Sequence, residues 1–133
     1  MANIGIWAQA NMLNWVLRGS SPTQPAAVYV GLSLGAPTSV SFSEVGAGSG
    51  YSRQSPGFGP AATPAGSGSA SNSGAATYGP FSSSAVISGL FICDNATSAT
   101  PNMLWYGNLS TVRTPLAGDS LVLAAGALAI TLS

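Results

Sequence analysis

The hydrophobic pattern of the first eighteen residues has the period of an α-helix. Apolar side chains recur every three or four positions from residue 3 to residue 18, and Arg18 followed by Gly19 is a typical helix end. Asn3 has a side chain suited to cap the first turn. The pattern therefore predicts a helix over residues 3–18. Its apolar members are Ile4, Ile6, Trp7, Ala8, Met12, Leu13, Trp15 and Leu17.

These apolar positions surround much of the helix, which is a wider face than packing against a single sheet requires. We therefore expect part of the helix to contact another chain, with Trp7, Met12, Trp15 and Arg18 as candidate interface residues. The alternative is that Trp7 and Trp15 seal the end of the chain's own core, because a tryptophan ring buries a large apolar area there too. The sequence alone leaves both alternatives open.

The period changes after the helix. Pro22 and Pro25 do not allow the helix to continue, and Val28, Val30 and Leu32 then alternate with other residues as one side of a β-strand does. Further strand segments are each bounded by glycine, proline or serine. They lie at residues 39–43, 50–54, 75–81, 84–94, 103–109, 119–124 and 126–133.

Short strands that do not alternate with helices indicate an all-β fold. We predict an antiparallel β-sandwich or jelly-roll-like arrangement over residues 22–133, with the N-terminal α-helix at residues 1–19 as an appendage. The 133 residues are predicted to form a single domain, because this length supports one hydrophobic core.

Residues 55–76 are rich in Gly, Ser and Ala, and Phe58 is their only large apolar side chain before the strand at 75–81 begins. A segment with so little apolar surface cannot offset the entropy of its own ordering. We therefore predict a long loop or arm here. The sequence leaves open whether this loop reaches across a neighbouring chain or is an ordinary surface loop.

The chain carries very few charges: only 5% of the residues are charged, and neither Lys nor His occurs. So few charges provide little repulsion between copies, which suits a protein that lies against neighbours. Three arginines spread along the chain argue against nucleic-acid binding. No apolar run reaches the roughly 20 residues of a membrane span, and the N-terminus does not resemble a secretory signal. The charged residues are Arg18, Glu44, Arg53, Asp94, Arg113 and Asp119.

The candidate chemistry is sparse, and we do not expect an enzyme. Asp94 and Asp119 are predicted to be turn residues, and no His or Lys is present to activate a serine nucleophile. The single Cys93 is predicted to be a buried core residue, so we expect no metal ion and no cofactor. Trp105 is expected to pack in the core instead of stacking on a sugar.

Arg53 and Arg113 each lie in a strand-like segment with few acidic neighbours. We predict that each forms a polar contact that fixes register. The partner is either one of the acids Glu44, Asp94 and Asp119 or another subunit, and both arginines are therefore candidate interface residues.

The order of several short motifs resembles a family of small phage virion proteins that are often labelled tail-fibre proteins. The helix ends in VLRG at residues 16–19, and VYVGL, GYSRQ, TYGPF, GLFICD, LWYGNL and GDSLVLAAGALAITL follow. The resemblance covers nearly the whole chain except the Gly/Ser/Ala-rich loop. It implies a β-sandwich that is a component of a virion, and similar small β proteins decorate capsids as cement proteins.

From this resemblance we expect a capsid decoration protein on the outer surface of the head, made in the host cytoplasm. It would be a homotrimer or homodimer that binds the major capsid protein. The absence of an internal repeat favours this expectation, because a fibre shaft is normally elongated and repetitive. The alternative is a tail-fibre or baseplate component that takes part in host attachment.

Overall fold

The computed structural model describes residues 3–63 and 66–132. Within these residues the chain has an N-terminal helix, a 3₁₀ turn at Ala47–Ser49, and strands that all pair antiparallel. The predicted all-β class with an N-terminal helix is confirmed. The elements are β1 (Asn3–Ile4), α1 (Ile6–Arg18), β2 (Tyr29–Ser33), β3 (Gly68–Ser71), β4 (Ala76–Tyr78), β5 (Ile87–Cys93), β6 (Met103–Arg113), β7 (Leu121–Leu123) and β8 (Ala129–Leu132).

Four strands form the main sheet in the order β1-β6-β5-β2. The remaining strands form two ribbons, β3-β8 and β4-β7. One core joins the sheet to both ribbons, because Val30 and Ile92 of the sheet cluster with Tyr78 of β4 and Ile130 of β8. This sandwich-like arrangement also includes Ala8, the buried residue of α1.

The other side of the main sheet carries a second, smaller core. Phe91, Cys93 and Met103 are buried there, and the ring of Phe42 stacks on that of Phe91 with centroids 4.0 Å apart. The predicted burial of Cys93 is therefore confirmed. Alternate residues of β5 point to opposite faces, so Ile92 belongs to the main core while its neighbours belong to the smaller one.

The helix ends where predicted but begins three residues later. Gly19 adopts a left-handed conformation at its C-terminus, with φ 66°. The predicted N-cap, Asn3, instead pairs with Tyr106 in the sheet. Gly5 takes the cap position and donates its N–H to the Leu104 carbonyl at 2.7 Å. The prediction of Asn3 as cap was wrong because β6, far along the chain, recruits the first residues as a strand.

The prediction of a long loop over residues 55–76 was also wrong in part. Gly68–Ser71 forms strand β3 against β8, and an isolated bridge joins Phe58 to Asn72. The Asn72 side chain donates to the carbonyls of Gly74 and Ala124 and accepts the Leu128 N–H. These long-range bonds supply the order that the local composition does not. Residues 64 and 65 of the predicted loop lie outside the described residues.

Two of the predicted strands are not regular strands. Residues 39–43 form a bend, in which the Ser39 carbonyl accepts the N–H of Ile6 at the start of α1. In residues 50–54 only Gln54 bridges to a strand, at Val30. The alternation of this second segment nevertheless persists, because Tyr51 and Arg53 are both buried.

Candidate interaction surface

One face of α1 packs on the sheet beside β6. Ala8 on this face is buried, and Trp7 is partly buried against the main core together with Trp105 of β6. Trp15, two turns further along the same face, is 59% exposed. The two predicted roles of the tryptophans are thus divided, since Trp7 contacts the core and Trp15 is mostly open to solvent.

The exposed rings lie along an apolar depression. A cavity of about 340 Å³ is lined by Trp7, Met12, Trp15, Val28 and Trp105, with Pro22 and Pro25 at its edge. An adjoining cavity of about 330 Å³ shares Val28 and Trp105 with the first. Its other walls are mostly apolar and include Phe58, Ile130 and Leu132. We call the two cavities together the trough.

Trp105 lies where the two cavities of the trough meet. It packs partly in the core, as expected. Its indole Nε1 is buried and, among residues 3–63 and 66–132, has no hydrogen-bond partner. A buried N–H without an acceptor is costly in a folded chain. Trp105 therefore contributes a large apolar ring to the trough, while its indole N–H is buried without a partner among the described residues.

The opposite face of α1 is apolar too. Ile6, Leu13, Val16 and Leu17 are between 55% and 75% exposed. Single exposed apolar residues are ordinary, but a contiguous patch of this kind marks an interaction site in a protein that is otherwise folded. The helix thus has one apolar face toward the chain and another toward solvent.

Arg53, in contrast to these exposed apolar residues, is a charged side chain that is buried and bonded within the chain. Its guanidinium binds the Glu44 carboxylate in bidentate fashion, with Nε–Oε1 2.7 Å and Nη2–Oε2 2.8 Å. It also donates to the carbonyls of Asn95 and Ser98 and weakly to the sulfur of Cys93. All five N–H donors of the guanidinium are therefore used inside the chain. The side chain of Arg53 is only 2% exposed.

Tyr51 extends this set, which we call the arginine cluster (Glu44, Tyr51, Arg53 and Cys93). Its hydroxyl donates to Glu44 at 2.8 Å and accepts the N–H of Leu32 at 3.0 Å. Burial raises the pKa of the Tyr51 hydroxyl far above its ordinary value. Burial likewise raises the pKa of the Cys93 thiol, which keeps it in the unreactive neutral form.

The arginine cluster holds the connection between β5 and β6. Two carbonyls of this connection, at Asn95 and Ser98, accept from Arg53. The Asn95 side chain in turn accepts the N–H groups of Thr97 and Ser98, and Asp94 binds Asn102. Asp94 is therefore a turn residue, as predicted. Asp119 is one as well, since its carboxylate accepts the Leu116 N–H.

The structure thus separates the six predicted interface residues. It brings Trp7, Met12 and Trp15 together on the trough, and it leaves Arg18 at the exposed end of α1 and Arg113 at the exposed end of β6. Arg53 differs from the interface prediction, because its charge is turned inward to Glu44, one of the acids that the sequence left open. For the other five residues the interface role stays a prediction.

Sequence reasoning did not single out Val28, Phe58 and Trp105 as a shared wall, because they lie on separate elements that only the fold brings together. Among residues 3–63 and 66–132, no group of three or more His, Cys, Asp or Glu side chains could hold a metal ion. No helix in these ranges is both long enough and apolar enough to cross a membrane.

The fold and its surfaces together define a small, charge-poor β protein with apolar faces suited to assembly. The model of the Gp80 family, described as podophage GP4 fiber I protein gp80, matches residues 3–131. The chain therefore belongs to this family of podophage fibre proteins and is a phage virion structural protein. The resemblance to small phage virion proteins labelled as tail-fibre proteins is thereby confirmed. No curated protein matches the chain.

Proposed function

We propose that this chain is a non-catalytic component of a podophage tail fibre that docks on a neighbouring virion protein through the trough. The single observation that carries this proposal is the trough itself, whose walls include Trp7, Met12, Trp15 and Trp105. Apolar and aromatic side chains around a concave surface are the usual centre of a stable protein interface.

The charges support a mechanical role. The best-bonded charged group, Arg53, is held inside the chain, so Arg18 and Arg113 are the arginines left at the surface. Two separate cations are too few for a phosphate-binding surface, and nucleic acid is therefore not the proposed partner. A partner seated in the trough would instead offer an apolar ridge.

A second candidate is decoration of the capsid, with the major capsid protein as partner. The observation that favours it is the fold of the described residues, in which one core joins the sheet, the ribbons and α1 and no shaft element is repeated. In this candidate the same trough would contact the capsid lattice, and the chain would lie on the outer surface of the head.

The number of copies per virion distinguishes the two candidates. Quantitative mass spectrometry of purified virions should find copies in the number of tail fibres, far fewer than those of the major capsid protein. Labelling with an antibody in electron micrographs should mark the tail. Hundreds of copies and a labelled head would replace the fibre proposal with decoration, and absence from the virion would overturn both.

The docking role of the trough can be tested with matched variants. Met12→Gln combined with Trp15→Gln makes the wall of the trough polar, whereas Val122→Gln changes an exposed apolar residue on β7, outside the trough. The double variant should fold but fail to enter virions, and the control should enter normally. Normal incorporation of the double variant would contradict docking through the trough.

A further inference from the structure

The outward face of α1 has a regular spacing. Ile6, Ala10, Leu13 and Leu17 follow one another at intervals of four, three and four residues, and all four are exposed. At 3.6 residues per turn these positions lie within about 60° of one another on the helix surface. They form a single apolar line, which we call the outer seam.

The outer seam faces away from the trough. Ala8, which is buried in the core, and Trp15, which lines the trough, lie on the other side of the same helix. None of the trough contacts described above covers the outer seam. A partner of the outer seam must therefore approach from the solvent side of α1.

The spacing indicates what kind of partner fits. Alternating steps of three and four residues are the pattern with which helices interdigitate side by side, the apolar side chains of one entering the gaps of the other. Ala10, near the middle of the outer seam, allows the two helix axes to approach closely. The complementary surface is thus a second helix with the same spacing.

The charges beside the outer seam favour an identical copy over a different protein. Gln9, Asn14 and Val16 flank the apolar line, and none carries a charge. Helices that select a different partner commonly do so through charges at these flanking positions. Here two copies meet no repulsion, and Arg18 at the end of the helix is the only charge that α1 carries.

The exposed apolar surface on this side of α1 is large enough for a modest contact between two copies. Ile6, Leu13 and Leu17 of the outer seam are 55%, 59% and 75% exposed, and the flanking Val16 is 69% exposed. Covering all four would remove about 500 Å² of accessible surface per copy, less than the ~800 Å² of a standard interface. Such an interface is expected to be of modest strength in solution. Several copies held in one virion would strengthen it through their high local concentration.

We infer that α1 packs against α1 of a second copy of this chain through the outer seam. This surface is distinct from the trough, so the inference does not depend on which virion protein the trough binds. A homo-oligomer formed in this way leaves the trough of each copy free for that protein.

The mass of the purified full chain in solution tests the inference. Analytical ultracentrifugation over a range of concentrations should give a dimer or trimer. The variant Leu13→Gln/Leu17→Gln should weaken self-association about tenfold or more. Val122→Gln, an exposed apolar change outside α1, is the matched control and should associate normally. A wild-type chain that stays monomeric, or a double variant that associates equally well, would overturn the inference.

Cross-linking supplies a second arm that does not rely on a disruptive change. Ala10→Cys places a thiol on the outer seam, Ser83→Cys places one at an exposed position outside α1, and the native Cys93 is buried and serves as an internal blank. A short bis-maleimide should join two Ala10→Cys chains much faster than two Ser83→Cys chains. Equal or reversed yields would also overturn the inference.

Discussion

The arginine cluster and helix α1 use opposite strategies. In the arginine cluster a charged side chain is buried, and every one of its N–H donors has a partner inside the same chain. In α1, by contrast, Trp15 on the trough side and Ile6, Leu13 and Leu17 on the outer seam are each more than half exposed. One region is complete in the single chain, and we propose that the other is completed by further chains.

The difference shows how a chain with six charges divides its polar and apolar groups. Burying a charge costs free energy unless its hydrogen bonds are all made, and the arginine cluster meets this condition while it holds the β5–β6 connection. Exposed apolar side chains are unfavourable in water but become favourable on contact with a partner. The order of the single chain therefore depends on the arginine cluster. Assembly with further chains is expected to depend on the exposed apolar side chains of α1.

The largest effect is expected from Arg53→Met, which removes the cation and leaves Glu44 and two carbonyls without their partner. Breaking a buried pair in this way costs about 3–5 kcal/mol. We expect the midpoint of urea unfolding to fall sharply. The Cys93 thiol should also react faster with a thiol reagent, because the connection that covers it is released.

Arg53→Lys is the matched control, because it keeps the charge but not the planar fork that reaches Glu44 and both carbonyls. Its stability should lie between those of the wild type and Arg53→Met. If Arg53→Met unfolds at the same urea concentration as the wild type, the arginine cluster does not hold the fold together as described.

The next largest effect is expected where α1 joins the sheet. Gly5 is buried at the start of the helix, and a Cβ added there would clash with the carbonyl of Met103. Gly5→Ala should therefore cost about 1–3 kcal/mol of unfolding free energy by overpacking. The measurement is thermal unfolding followed by circular dichroism. Gly35→Ala, where an added Cβ meets nothing within 4 Å, should be nearly neutral.

A smaller effect is expected at Tyr78, whose buried hydroxyl donates to the Val30 carbonyl at 2.9 Å. Burial raises the pKa of this hydroxyl above the value of about 10 in the unfolded chain. The folded state therefore holds the proton more tightly. Stability should be constant with respect to this group below pH of about 10 and should fall as the pH rises further. Tyr51 acts in the same direction.

Tyr78→Phe tests this explanation at two pH values. At neutral pH it should lose about 0.5–1.5 kcal/mol with the hydrogen bond. Above pH of about 10 the variant should lose less stability per pH unit than the wild type, because one of the groups with a raised pKa is gone. An alkaline slope that is the same in both proteins would show that Tyr78 does not titrate in this way.

Some features of the fold depend on neighbouring residues and others on distant ones, and this difference explains which of them the sequence could predict. The end of α1 at Arg18 and Gly19, the placement of Val30 and Leu32 on the core side of a strand and the burial of Cys93 all follow from local patterns, and all were predicted correctly. The start of α1 at Gly5 and the strand Gly68–Ser71 depend on pairing with β6 and β8, which are distant in the sequence. Local composition carries no information about such partners.

The candidate site was predictable only in part for a different reason. The apolar positions of α1 were visible in the sequence, and Trp7, Met12 and Trp15 do come together on the trough. Because both sides of the helix are apolar, however, the pattern could not indicate which side faces the core. Nor could it indicate that Arg53 would bind Glu44 in preference to a partner chain, since both alternatives satisfy a lone arginine equally well.

The smallest effect on stability is expected at Leu17, which is 75% exposed at the solvent side of α1. If the outer seam contributes only to assembly, Leu17→Gln should change the unfolding free energy of the dilute single chain by no more than about 0.5 kcal/mol. Urea unfolding at a concentration where copies are separate measures this directly. A loss well above that value would mean that Leu17 supports the fold of its own chain, and α1 would then resemble the arginine cluster instead of contrasting with it.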